Sequence, residues 1–306
     1  MPLEERYKKK MVLGQDGNHL VNLVIALLLV FMIFKLIYVI YHFAELDTAA
    51  YYTHIFDWFI LPADFDKLMS RPWTILTYMF MHDGVFHMLG NLLWLWAFGY
   101  IMQDLAGNGK LIPIFLYGGL AGAAFFLLSY NIFPRMLAVS GQATLYGASG
   151  SIMAIAVATT MLAPDYRIFP MLNGGIPLWV LTLVFVIIDF ATIPVANTGW
   201  YIAHISGAAM GLLFIYQMRK GNDWGAWINN FFDWAGNLFN PDKPKKSTVK
   251  QKYFYKVGKT SPYRKVPHVT QKRIDEILDK INQKGYRFLT DEEKEILKRA
   301  SQDDNL

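Results

Sequence analysis

The sequence predicts an all-α membrane protein: a bundle of six transmembrane helices followed by a small helical module. Three observations carry this. The chain is 54% hydrophobic and only 17% charged, with a mean hydropathy of +0.25, where a soluble domain carries roughly 25% charged residues. Six apolar runs, about residues 20–43, 85–103, 111–130, 145–162, 177–195 and 200–218, each come near the roughly 20 residues a helix needs to cross a bilayer. Charge is pushed to the ends: 219–306 holds 19 of the 29 Lys and Arg, whereas 20–218 holds 6, against 9 Asp and Glu. Helices are expected in the middle because a bilayer offers no water to satisfy bare backbone. With no cysteine, disulfide frameworks, thiolate metal sites and cysteine nucleophiles are excluded.

Taken in order, residues 1–19 form a basic tail (Arg6, Lys8, Lys9, Lys10). The first apolar run is too long for the core of a signal peptide and reads as a retained span. A long, aromatic and acidic loop follows at about 44–84. Its Tyr51-Tyr52 and Phe56-Asp57-Trp58-Phe59-Ile60 suit a segment lying in the membrane interface. Small residues crowd later spans, as in Gly118-Gly119-Leu120-Ala121-Gly122, Gly147-Ala148-Ser149-Gly150-Ser151 and Gly207-Ala208-Ala209-Met210-Gly211. Such runs let helix backbones approach closely, so the membrane domain, 20–218, reads as a packed bundle. An even number of spans puts both termini on one side. Lys110, Arg167 and the basic ends gather on that side, which the distribution of loop Lys and Arg places in the cytoplasm.

Residues 219–268 read as an amphipathic helix around Trp224–Leu238, lying either on the inner leaflet or against the underside of the bundle, followed by a Pro/Lys/Ser-rich linker. Residues 269–306 read as a small helical module. Ile274, Ile277, Leu278 and Ile281 make one apolar stripe, Gly285 ends that helix, and Thr290 with Glu293 forms a capping box for a second helix carrying Ile296 and Leu297. So short a module buries little core alone, and it is expected to associate with another copy or with a cytoplasmic partner.

The chemistry is expected from polar groups inside the membrane, where they are costly. His87 and Asn91 stand four apart on one face of the second span, Ser149 opens the fourth, and His204 sits within the sixth. Taken singly, each also reads as packing or as a satisfied polar group. Together they supply what acyl transfer needs: a nucleophile, a base within reach, and donors for an oxyanion. A helix N-terminus at Ser149 would aim backbone N–H groups at the site. No acidic residue neighbours His204 in sequence, so a Ser–His dyad is expected, with Asp189 structural or near the surface and His82 at the membrane edge.

The pattern His82-x4-His87-x3-Asn91-x7-Gly99, then Gly147-Ala148-Ser149-Gly150, then Ala203-His204-x2-Gly207-x3-Gly211 resembles the rhomboid family of intramembrane serine proteases, in the family's order and on the matching spans, across about residues 20–218. The resemblance implies a six-span rhomboid bundle of bacterial type in the cytoplasmic (inner) membrane. It implies Ser149 as nucleophile and His204 as general base. The oxyanion hole falls to His87, Asn91 and the N–H of Ser149, with support from Gly147, Gly150, Gly207 and a water-facing His82. It implies cleavage of transmembrane protein substrates in the lipid bilayer, with no cofactor, metal or nucleic acid. The other reading is an inactive rhomboid-like protein that binds membrane clients. Two positions depart from the family pattern: Thr74 follows Trp73 where arginine is common, with Arg71 nearby, and Met153 stands four after the serine where an aromatic residue is common.

Overall fold

The computed structural model describes residues 18–168, 175–192, 198–236, 238 and 271–300. The N-terminal tail through residue 17 and nearly all of the linker lie outside the described residues. The chain divides into two compact units, Met1–Ser247 and Thr248–Leu306.

The first unit opens with α1, His19–Phe43, capped by Asn18, whose side chain accepts from the N–H groups of Leu20 and Val21. The 44–84 loop is folded rather than open. It holds α2 (Thr48–His54), strand β1 (Leu61–Pro62), α3 (Phe65–Ser70) and the short α4 (Thr74–Thr77). Tyr51, Phe56, Ile60 and Met81 form a small core of their own against Phe34, Tyr38 and Tyr41 of α1. Trp58, Phe65, Met69 and Trp73 stay exposed, as an interfacial segment requires. Where Thr74 replaces the common arginine, the loop is anchored otherwise. Arg71 Nη1 donates to Asp57 O at 2.5 Å, Trp73 Nε1 donates to Trp58 O at 2.8 Å, and the two indoles stack.

Then come α5 (Val85–Ala106), α6 (Leu111–Ile132), α7 (Pro134–Leu137), β2 (Thr144–Leu145), α8 (Ser149–Leu162), the hairpin strands β3 (Arg167–Ile168) and β4 (Ile176–Pro177), α9 (Leu178–Thr192) and α10 (Thr198–Arg219). This is an all-α membrane bundle. Four of its helices, α1, α5, the α6 segment from Asn108 and α10, are long and apolar enough to cross a membrane. The remaining two apolar runs are shorter than expected: α8 has 14 residues and α9 has 15. At 1.5 Å per residue α8 reaches about 21 Å, short of a hydrocarbon core of about 30 Å. The run read as 145–162 is helical only from Ser149, because residues 144–145 pair with β1 and Gly147 takes φ +111°.

Small residues set the packing. A Cβ at Gly207 would lie 2.2 Å from Gly150 O, and one at Gly211 2.2 Å from Ala154 O; one at Gly118 would meet the Ala154 Cβ at 2.4 Å. So α8 and α10 run backbone to backbone, parallel, with α6 antiparallel across them. Arg219 closes the far end of the seam, its guanidinium donating to Met161 O.

Beyond α10, the amphipathic segment forms α11 (Ala226–Gly236). Ile228 is buried, Lys110 pairs with Asp223 at 2.6 Å, and Asn229 Nδ2 donates to Gly109 O at 2.8 Å; Trp227, Phe231, Phe232 and Trp234 remain exposed. The second unit is a helical hairpin, α12 (Gln271–Lys284) and α13 (Asp291–Ala300), closed over Ile277, Leu289 and Ile296. Gly285, at φ +88°, ends α12. The expected capping box forms: Thr290 N–H donates to Glu293 Oε2 at 2.8 Å, and Glu293 N–H donates to Thr290 Oγ1 at 3.3 Å.

Candidate active site

The residue ahead of α8 is held from several directions. Leu61 and Pro62 pair with Leu145 and Thr144, Trp200 Nε1 donates to Thr144 O at 2.8 Å, and Gly147 N–H donates to Tyr78 O at 2.9 Å. These bonds fix the turn that delivers Ser149 to the first position of its helix. There the N–H groups have no intrahelical partner and the positive end of the helix dipole faces outward. A Cβ on Gly147 would come within 2.9 Å of the His87 ring, so the small residue keeps the space beside Ser149 open.

Ser149 is 5% exposed and His204 3%. Ser149 Oγ and His204 Nε2 stand 2.7 Å apart, hydrogen-bond distance for proton transfer. The glycine seam produces this: Gly150 lies 3.3 Å, measured from its would-be Cβ, from Ala203 O, so the two side chains one residue away on each helix must meet. His204 follows the first described residue of α10 by six positions, about 9 Å along the axis. The pair is therefore recessed below that end of the bundle.

Both residues line a cavity of about 530 Å³ walled by α5 (His87, Asn91, Trp94), α9 (Phe185, Ile188, Asp189) and the start of α10 (Trp200). His87 faces the cavity and stacks on Trp200, ring centroids 6.3 Å apart. Asn91 is buried on its own helix face, with Nδ2 at 2.9 Å from His82 Nε2. His82 Nδ1 lies 3.2 Å from Phe80 O. A chain from Asn91 through His82 to the backbone thus orients the amide. Asn91, His87 and Ser149 line the same cavity.

Three expectations are corrected here. His82 is not at a water-facing edge: it is 2% exposed and covered. Its Nε2 lies 2.9 Å from Asn91 Nδ2, and spacing alone could not reveal that because the partner sits on the next helix. His204 is not without an acidic neighbour. Asp189 Oδ2 lies 2.5 Å from His204 Nδ1, its side chain 11% exposed, so neither a bare dyad nor a surface position for Asp189 describes the geometry. The only signal in the sequence was that Asp189 is a carboxylate deep in an apolar run; the distance of 15 positions to His204 hid the contact. Lys35, on α1, reaches Asp83 at 3.4 Å, and Tyr52 donates its hydroxyl proton to the same carboxylate at 3.1 Å. Met153 is wholly buried in the core. No cluster of His, Asp and Glu suited to a metal occurs among the described residues.

A family model for the rhomboid domain matches residues 69–221, half of the chain. The chain belongs to the rhomboid family. The matched stretch contains the whole cavity lining from α5 to α10. A second model, for a family of unknown function (DUF6576), matches residues 263–303 and so covers the α12–α13 hairpin. Among similar curated proteins are RHOMBOID-like protein 12, mitochondrial, of Arabidopsis thaliana, 25% identical over 162 residues, 50% of this chain and 48% of that one. Rhomboid protein 1, mitochondrial, of Saccharomyces cerevisiae is 26% identical over 152 residues, 48% and 42% of the two chains. Rhomboid protease GlpG of Salmonella newport is 32% identical over 90 residues, 24% and 32%. The chain spans about half or less of the length of these relatives. Family and helices together make it an integral, multi-pass membrane protein.

Proposed function

We propose that this rhomboid is an intramembrane serine endopeptidase, with Ser149 as nucleophile and His204 as general base. The observation that carries the reading is the 2.7 Å contact between Ser149 Oγ and His204 Nε2, both buried, at the floor of a cavity. Oγ attacks the scissile carbonyl while its proton passes to Nε2. The oxyanion is met by the Ser149 N–H and the Asn91 and His87 side chains. The proton then passes from Nε2 to the leaving amine, and water releases the acyl group by the same steps. Substrates are transmembrane segments of other proteins: Trp94, Phe185 and Ile188 give the cavity between α5 and α9 an apolar side, and the reacting pair lies below the end of the bundle. No cofactor enters this chemistry.

The loop charges support a setting in a bacterial cytoplasmic membrane with both termini inside. The α12–α13 module leaves Leu278, Tyr286 and Phe288 exposed, and its work is association, with a second copy or a cytoplasmic partner. Crosslinking full-length and truncated protein in membranes tests that, and an unchanged profile rejects it.

The decisive test is labelling by a fluorophosphonate and cleavage of a transmembrane substrate by the purified protein. Wild type should do both, and Ser149→Ala and His204→Ala should do neither, since a nucleophile and its base act as a unit. Undiminished cleavage by Ser149→Ala would refute the mechanism; absence of labelling in folded wild type would favour an inactive, client-binding rhomboid.

A further inference from the structure

We infer that Asp189 is the third member of the reacting set, a positioning carboxylate that makes this rhomboid's machinery a Ser–His–Asp relay rather than a pair; the inference rests on the reading of Ser149 and His204 above. Asp189 shares one face of α9 with Phe185, four positions back, and both line the cavity together with Ile188. Its Oδ2 lies 2.5 Å from His204 Nδ1, on the side of the ring opposite Ser149.

A buried carboxylate in an apolar bundle is costly unless it is hydrogen-bonded. Here the imidazole supplies a bond, and the bond decides where the imidazole proton sits. With the proton on Nδ1, the ring donates to the carboxylate and Nε2 presents its lone pair to the Ser149 hydroxyl. With the proton on Nε2, two lone pairs would face each other at 2.5 Å and Nε2 could accept nothing. A carboxylate at this place therefore selects the one tautomer in which His204 is a base. When Oγ attacks, its proton moves to Nε2. The imidazolium so formed keeps its Nδ1–H bond to Asp189, whose carboxylate offsets the new positive charge until Nε2 delivers the proton to the leaving amine. No proton needs to reach the carboxylate.

The test uses the full chain in detergent. Asp189→Asn keeps size and polarity but removes the charge and can turn an amide N–H toward Nδ1, which stabilises the wrong tautomer. It should lower kcat, and the rate of fluorophosphonate labelling, by on the order of 10²–10⁴-fold, with KM and the thermal midpoint little changed. Asp189→Glu should recover part of that loss. Independently of any variant, ¹⁵N-histidine spectra of wild type should show the His204 resonances, identified by their loss in His204→Ala, as the Nδ1–H tautomer. Asp189→Asn at wild-type kcat, equal losses in the Asn and Glu variants accompanied by a fallen midpoint, or an Nε2–H tautomer in wild type would each overturn the inference. If Ser149→Ala itself still labels and cleaves, the underlying reading fails instead, and that outcome is distinct from all three.

Discussion

The two helices that flank the reacting pair are held by different means. α10 lies against α8 through glycines, with Gly207 on Gly150 and Gly211 on Ala154, so closely that no side chain fits between the backbones. α9 is held by side chains: the Thr160 and Thr182 hydroxyls 2.5 Å apart, Phe185 buried against Trp94 and Phe98, and Asp189 on His204. Its other face, with Trp179, Leu183 and Ile187, is exposed. The difference teaches which distances this fold fixes. Backbone-to-backbone packing has no rotamers, so the spacing of Ser149 and His204 follows from helix geometry alone. The wall carried by α9 depends on side-chain contacts, each of which a single substitution can change without moving the nucleophile.

This contrast can be broken in several places. Outside Ser149, His204 and Asp189, the largest effect is expected on α5. Asn91→Ala and His87→Ala should each lower kcat by on the order of 10²–10³-fold, or about 2.7–4 kcal/mol of barrier. KM should move less, because the donors act on charge that develops in the transition state. Steady-state kinetics on a transmembrane substrate measure this; a double variant with wild-type kcat would remove both residues from the oxyanion site.

Next comes the seam. Gly207→Ala places a methyl group 2.2 Å from Gly150 O, and backbone cannot step aside. Overpacking of this kind costs roughly 1–3 kcal/mol, and here it should also part Ser149 from His204. Thermal unfolding in detergent and the labelling rate should fall together. If Gly207→Ala melts and labels as wild type, the rigid-seam account is wrong. On the other flank, Ile187→Ala on the exposed face of α9 should change stability by under about 0.5 kcal/mol, and a loss as large as that of Gly207→Ala would erase the distinction between the two helices.

The smallest effect belongs to the second unit, where a helix start is again held by side chains. The Glu293 carboxylate is pulled down to about 2, first by its bond to Lys280 and then by the Thr290 N–H. A carboxylate depressed in the fold contributes stability that is complete above its ordinary value, about 4.5, and is lost as pH falls toward 2. Amide exchange across 289–293 of the full chain should therefore quicken over that window, and Glu293→Gln should flatten the dependence. An unchanged pH response in Glu293→Gln would assign it to another group.

Much of this was legible in one dimension. Apolar runs specify membrane helices because unpaired backbone is intolerable in lipid, so the six elements could be placed from composition. Gly147-Ala148-Ser149-Gly150 and Ala203-His204 could be paired because small residues on two helices imply close approach. The capping box at Thr290 and Glu293 and the stop at Gly285 were readable because their partners lie within a few positions. Tertiary structure alone decided the rest. That α8 begins at Ser149, and not four residues sooner, depends on β1, an element 80 and more positions earlier in the chain. That His82 holds Asn91 depends on a ring folding back under the next helix. That Asp189 meets His204 depends on the rotation of α9, which no periodicity in an all-apolar run can specify: when every face is hydrophobic, sequence says that a helix is there but not which side it turns inward, and here packing turned the one carboxylate toward the histidine.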